Sequence, residues 1–67
     1  MPTITYEAGL LTKEKKVELI KILTQSASKI TATPEQAFTV LIKENPIENW
    51  GIGGIPLDEL MKAKSGH

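Results

Sequence analysis

Phe38-Thr39-Val40-Leu41-Ile42-Lys43 is the stretch that decides the fold. Its near-continuous apolar character is that of a strand covered on both faces, the usual state of a strand in a parallel sheet. A parallel neighbour demands a crossover connection, and the residues upstream supply one. Thr12 offers an N-cap oxygen, and Glu14 places an acid in the first turn, where the helix dipole favours it. Val17, Ile20, Leu23, Ala27 and Ile30, broadened by Leu19 and Ile22, then recur at steps of three and four. That spacing predicts one wide apolar face on a helix of about five turns, with Lys13, Lys16, Glu18, Lys21, Gln25 and Lys29 mostly outside. Further upstream, Pro2, Ile4 and Tyr6 alternate with Thr3, Thr5 and Glu7, a period-two pattern that predicts a strand from Pro2 to Ala8, ended by Gly9. Strand, long helix and strand make a βαβ unit, with its crossover expected right-handed.

Downstream of the deciding strand the texture changes. Thr33-Pro34-Glu35-Gln36, just before it, reads as a cap followed by a single helical turn with Pro at its first position. Asn45-Pro46-Ile47-Glu48-Asn49 is turn chemistry. Trp50-Gly51-Ile52-Gly53-Gly54-Ile55-Pro56 predicts a short hairpin or bulged strand that meets another subunit, because one βαβ unit cannot cover so much apolar surface. Leu57 to Lys64 is expected to form a short helix, and Ser65-Gly66-His67 to fray.

Composition narrows the function classes. The 67 residues suit one domain, 1–67, with eight lysines, no arginine, eight acids, one histidine and no cysteine. A chain of this size buries only ~60% of the surface exposed on unfolding, and small folds usually add disulfides, a metal or oligomerisation. Without cysteine, and with His67 as the one histidine, self-association is the expected stabiliser and no metal is expected. The net charge of zero, with acids and bases interspersed, argues against nucleic acid or an anionic membrane as partner. No basic segment followed by an apolar run opens the sequence, and no stretch approaches the ~20 apolar residues of a membrane span, so a cytoplasmic protein is expected.

Few side chains offer chemistry. The glycines at 51, 53 and 54 lack the strand-loop-helix order and the Lys-Ser or Lys-Thr of a phosphate loop, and read instead as a turn or bulge needing unusual φ. Glu14 and Glu18 lie four apart among lysines on a polar helix face and read as solvated charge. Trp50 can serve as an interface anchor or as a ligand wall, and Tyr6 carries the same ambiguity. Pro2 has two readings. Proline at a strand's start blunts an edge; alternatively, once Met1 is removed, it becomes a secondary amine at the chain terminus. An α-amino group titrates near ~8, and an apolar setting lowers that value, so a neutral amine can act as general base and its protonated form as general acid.

Met1-Pro2 opening a strand, Thr12 capping a long helix, the Phe38 to Glu44 strand and Trp50-Gly51-Ile52-Gly53-Gly54 together resemble the 4-oxalocrotonate tautomerase family, over Pro2 to about Leu60. The resemblance implies a small α/β fold: a β-α-β unit with parallel strands, a short C-terminal hairpin, and sheets shared between subunits. It implies homodimers, and often a hexamer built as a trimer of dimers. It implies an isomerase without metal or organic cofactor, whose terminal proline moves a proton between carbon and oxygen of an enol, or between two carbons of a dienol. In such enzymes two arginines hold the substrate's carboxylate and carbonyl oxygens, and an aromatic residue makes the pocket apolar.

Carried over by position, the proline falls on Pro2, the aromatic wall on Trp50, the first arginine on Leu11 and the second on Thr39. Both arginines are therefore missing. At ~1.5–3 kcal/mol for each charge-assisted hydrogen bond, their loss is worth ~10²–10⁴ in transition-state binding to a dicarboxylate. Lys13 and Lys43 are poor geometric substitutes, while the Thr39 hydroxyl or backbone N–H groups remain able to bind an enolate oxygen. The expected activity is tautomerisation of an enolisable 2-oxo or 2-hydroxy-unsaturated acid in a pocket less cationic than the namesake's. The alternatives are a hydratase or dehalogenase chemistry with a carboxylate such as Glu48 activating water, and a non-catalytic homo-oligomer that kept the fold.

Overall fold

Strand β1 (Thr3–Ala8) lies parallel to β2 (Thr39–Glu44) in a computed structural model that describes residues 1–65, with Thr3 opposite Thr39 and Ala8 opposite Glu44. The helix α1 (Lys13–Thr31) connects them, as the apolar periodicity predicts. Thr12 caps it, its Oγ1 accepting from the Lys15 N–H at 3.2 Å. At the other end Ala32 adopts the left-handed conformation, φ 54°, and its N–H bonds back to the Ser28 carbonyl. A 3₁₀ turn, Glu35–Ala37, follows. Pro34 stands just before this turn and not at its first position, and the Phe38 N–H closes it on the Glu35 carbonyl at 3.0 Å. That bond holds Phe38 outside β2, which therefore starts one residue later than the apolar run suggests.

The half-buried alternates Val40, Ile42 and Glu44 share a sheet face with Ile4, Tyr6 and Ala8, and α1 packs over it. The opposite face carries Thr3, Thr5, Glu7, Thr39, Leu41 and Lys43, all exposed. Burial of β2 on both faces, expected from its apolar run, is thus met on one face only within the chain. Leu41 remains 47% exposed because no element among the described residues covers that side.

After β2 a second 3₁₀ turn, Ile47–Asn49, leads into the hairpin of β3 (Gly51–Ile52) and β4 (Ile55–Pro56). Gly53 and Gly54 form its two-residue turn with φ of 62° and 83°, a left-handed pair that residues with a Cβ adopt at a cost. The unusual φ expected of the glycine run is located at these two positions. Helix α2 (Leu57–Ser65) follows directly, its Leu57 N–H donating to the Trp50 carbonyl at 2.9 Å. Fraying expected at 65–67 falls, for Gly66 and His67, outside the described residues.

The hairpin and α2 pack mainly on each other and on the turn before them, leaving an arm rather than a closed core. The radius of gyration is 16.1 Å, where a compact chain of this length needs about 11 Å. The accessible surface is 5374 Å², against roughly 4,200 Å² for a compact monomer of this mass. No hydrophobic side chain among the described residues is fully buried. No helix among them is long and apolar enough to cross a membrane.

Candidate functional site

Pro2 is exposed at the start of β1, and its carbonyl accepts the first interstrand bond, from the Thr39 N–H at 3.0 Å. The parallel register brings these two together: Thr39 opens β2 exactly where β1 begins, beside Thr3. The ladder bond holds the Pro2 backbone in one orientation. Thr39 is exposed too, and its hydroxyl makes no hydrogen bond among the described residues.

Leu11 and Trp50 lie at the opposite end of the sheet. Six residues of strand separate the two ends, roughly 17 Å at ~3.3 Å per residue. Of the four positions singled out by sequence, Pro2 and Thr39 meet at one end of the sheet, while Leu11 and Trp50 lie beyond the other end and line separate clefts.

Leu11 acts through its backbone. Its N–H donates to Glu44 Oε2 at 3.0 Å, while Glu44 Oε1 pairs with Lys16 Nζ at 2.6 Å. One carboxylate thus ties the β1–α1 loop and the start of α1 to the end of β2. The Leu11 N–H, and after it the Lys16 ammonium, hold the Glu44 carboxyl below its ordinary value against a smaller opposing effect of desolvation. Lys16, expected on the outer polar face, is drawn half under by this pair. The Leu11 side chain lines an apolar groove of about 410 Å³ with Tyr6, Lys15, Glu18, Leu19 and Ile22, between α1 and the free edge of β1.

Trp50 is half-buried, and its Nε1 donates to the Asn45 carbonyl at 3.1 Å. With Glu7, Asn45 and Asn49 it bounds an open cleft of about 420 Å³. Asn45 Nδ2 donates to Glu7 Oε2 at 3.2 Å. The carboxylate beside Trp50 is therefore Glu7, and Glu48, the nearer in sequence, does not line the cleft. Glu7, Asn45, Asn49 and Glu44 read in the sequence only as strand and turn positions, not as site residues. The signal that finds them is register: a parallel pair ending at Ala8 and Glu44 places whatever follows β2 against the last residues of β1, and Asn45 N–H continues the ladder to the Ala8 carbonyl at 2.9 Å.

This β-α-β architecture with a terminal glycine hairpin is that of small tautomerases. It superposes on TomN, a 4-oxalocrotonate tautomerase homologue of the tomaymycin biosynthetic pathway, with a TM-score of 0.83 at 27% identity, covering 98% of this chain and 100% of the other. DmpI from Archaeoglobus fulgidus matches with a TM-score of 0.76 at 35% identity over 85% of this chain and 98% of the other. A heterohexameric 4-oxalocrotonate tautomerase from Chloroflexus aurantiacus J-10-fl matches with a TM-score of 0.75 at 27% identity over 90% and 97%. The chain belongs to the tautomerase family, whose model, described as tautomerase enzyme, matches residues 3–59. Among curated proteins it is 40% identical over 45 residues to "Probable tautomerase RSp0893" of Ralstonia nicotianae, a match spanning 67% of this chain and 64% of that relative's length.

Proposed function

We propose that the protein is a cofactor-independent isomerase that moves a proton within an enolisable 2-oxo or 2-hydroxy-unsaturated acid, with Pro2 as general acid and base after removal of Met1. The observation that carries this reading is Pro2 itself, immediately before β1 in a member of the tautomerase family, its carbonyl accepting from the Thr39 N–H. The neutral amine takes a proton from one atom of the enol system while the electron pair shifts along the conjugated path. The resulting ammonium returns a proton at the other end, so no net charge or redox change occurs. The free Thr39 hydroxyl beside Pro2 is suited to donate to the enolate oxygen that forms.

Self-association belongs to the same proposal. A chain with exposed Leu10, Val17, Ile22, Leu41, Ile52 and Ile55, and with no buried hydrophobic side chain among the described residues, needs a second copy to exclude water. A homodimer, or a homohexamer assembled as a trimer of dimers, fits the extended arm and the free β1 edge. Assembly also answers the separation of the site residues: Pro2 and Thr39 of one chain meet a Trp50 only if another chain brings its far end alongside.

The test is ketonisation of the enol of phenylpyruvate, a monocarboxylate, by the purified full chain, with intact mass reporting the state of Met1. Loss of Met1 and a fall of ~10²–10⁴ in kcat/KM for Pro2→Ala are expected. Full activity in Pro2→Ala would sink the mechanism. Retained Met1 would do the same, since it converts the Pro2 nitrogen to an amide.

A further inference from the structure

We infer that the cleft between Glu7, Asn45, Asn49 and Trp50 is a subsite for an aromatic tail bearing an uncharged hydrogen-bond donor, a phenol being the simplest, and that it disfavours a carboxylate in that place. Assigning the tail to the substrate of Pro2 rests on the proposed function; the binding preference rests on the cleft alone.

The volume of about 420 Å³ lies in the range of small-molecule sites. One wall is the Trp50 ring. Its only donor, Nε1, is already committed to the Asn45 carbonyl, so the ring offers a π surface and no N–H to an anion. The Asn45 side-chain amide spends one of its two N–H donors on Glu7 Oε2, and being neutral it supplies no countercharge to an anion. Glu7 Oε1 receives no hydrogen bond among the described residues, which leaves a charged acceptor at the cleft wall for a ligand O–H. The Asn49 side-chain amide is also unengaged there and lines the same space.

Cations are where a carboxylate-binding site would show itself, and none lines the cleft. Lys43 is the register partner of Glu7 across the sheet, yet it forms no ion pair with it within 4.0 Å and stands outside the lining. The chain has no arginine to offer a fork. A carboxylate on the ligand tail would meet the Glu7 carboxylate with nothing to neutralise either. A hydroxyl meets an open acceptor. The chemistry selects a substrate with one carboxylate at most, at the reacting head, and an aryl tail that donates.

The experiment titrates the full chain at near-neutral pH with phenylpyruvate, para-hydroxyphenylpyruvate and para-carboxyphenylpyruvate, which share a head and differ only in the tail. Trp50 is the single tryptophan and reports binding by fluorescence, while enol turnover is followed separately. The hydroxylated tail is expected to bind roughly tenfold tighter than the plain one, equivalent to ~1.4 kcal/mol, and the carboxylated tail to bind weakest. In Glu7→Gln, with fold and oligomer mass checked by circular dichroism and light scattering, the penalty on the carboxylated tail should vanish. Equal affinities for all three tails, or a preference unchanged in Glu7→Gln, would overturn the assignment. Selective binding without turnover would overturn the proton-transfer reading and leave the subsite standing; turnover without tail selectivity would do the reverse.

Discussion

The Glu44 carboxylate at the end of β2 accepts a hydrogen bond from the Leu11 N–H at 3.0 Å, across 33 residues of sequence. With Lys16 on its other oxygen, it joins the β1–α1 loop, the helix start and the second strand by polar contacts. Leu11 occupies the place where the family resemblance implies an arginine, so the backbone there is held firmly although the expected side chain is gone.

This junction makes stability pH-dependent. Leu11 and Lys16 lower the Glu44 pKa from its ordinary 4.5, so the stabilisation is complete above that unfolded value and is lost as pH falls through the folded one. Thermal melts of wild type and Glu44→Gln should differ most near neutral pH, and the gap should close in acid below 4.5. Glu44→Ala should melt lower than Glu44→Gln at neutral pH, because Gln keeps an acceptor for the Leu11 N–H. A gap that widens in acid would contradict the assignment.

Ala32 spends backbone strain at the end of α1, with φ 54°. A left-handed residue with a Cβ costs ~1–2 kcal/mol, and glycine removes that cost while gaining freedom in the unfolded chain. Ala32→Gly should therefore stabilise by ~0.5–1 kcal/mol, a rise of a few degrees in Tm. A lower Tm would show that the cap geometry is held by something other than local conformation.

How much of this was legible beforehand differs between scaffold and site. The helix was readable because Val17, Ile20, Leu23, Ala27 and Ile30 repeat at its own period, and because Thr12 has a hydroxyl where a cap needs one. The hairpin was readable from Gly53 and Gly54, since few other residues enter that turn without cost. Glu7, Asn45 and Glu44 were not readable, because nothing in their local sequence sets them apart and their meaning comes from strand register. The apolar run at 38–43 left one point open for a related reason: continuous apolar character reports that both faces are suited to being covered, and not whether the cover comes from the same chain.

Trp50 joins the hairpin to the end of β2 through its indole N–H and the Asn45 carbonyl, 3.1 Å apart. Trp50→Phe keeps an aromatic wall but loses this bond and part of the ring area, so urea denaturation should show a loss of at least ~0.5–1.5 kcal/mol. Trp50→Ala should lose more, since the ring's apolar area goes with it. Equal losses in the two variants would mean that the hydrogen bond, and not the ring, supplies the whole effect.

Two exposed apolar surfaces on opposite sides of the chain remain to be covered. Ile22, 48% exposed, sits in the groove beside β1, and Leu41, 47% exposed, sits on the open sheet face. Each loses its remaining contact with water only against another molecule, and burying the exposed half of either is worth ~0.7–1.5 kcal/mol. Light scattering of the wild type should give a multiple of the chain mass, with Tm rising with protein concentration. A charge placed in either surface must be desolvated for assembly to persist. Ile22→Lys and Leu41→Lys should therefore each shift the mass downward and lower Tm. If only Ile22→Lys does so, assembly stops at a pair formed along the β1 edge; if both do, the sheet face is buried as well and the assembly is larger than a dimer. A wild type that stays monomeric, with Tm independent of concentration, would remove the basis for a Trp50 ever reaching Pro2.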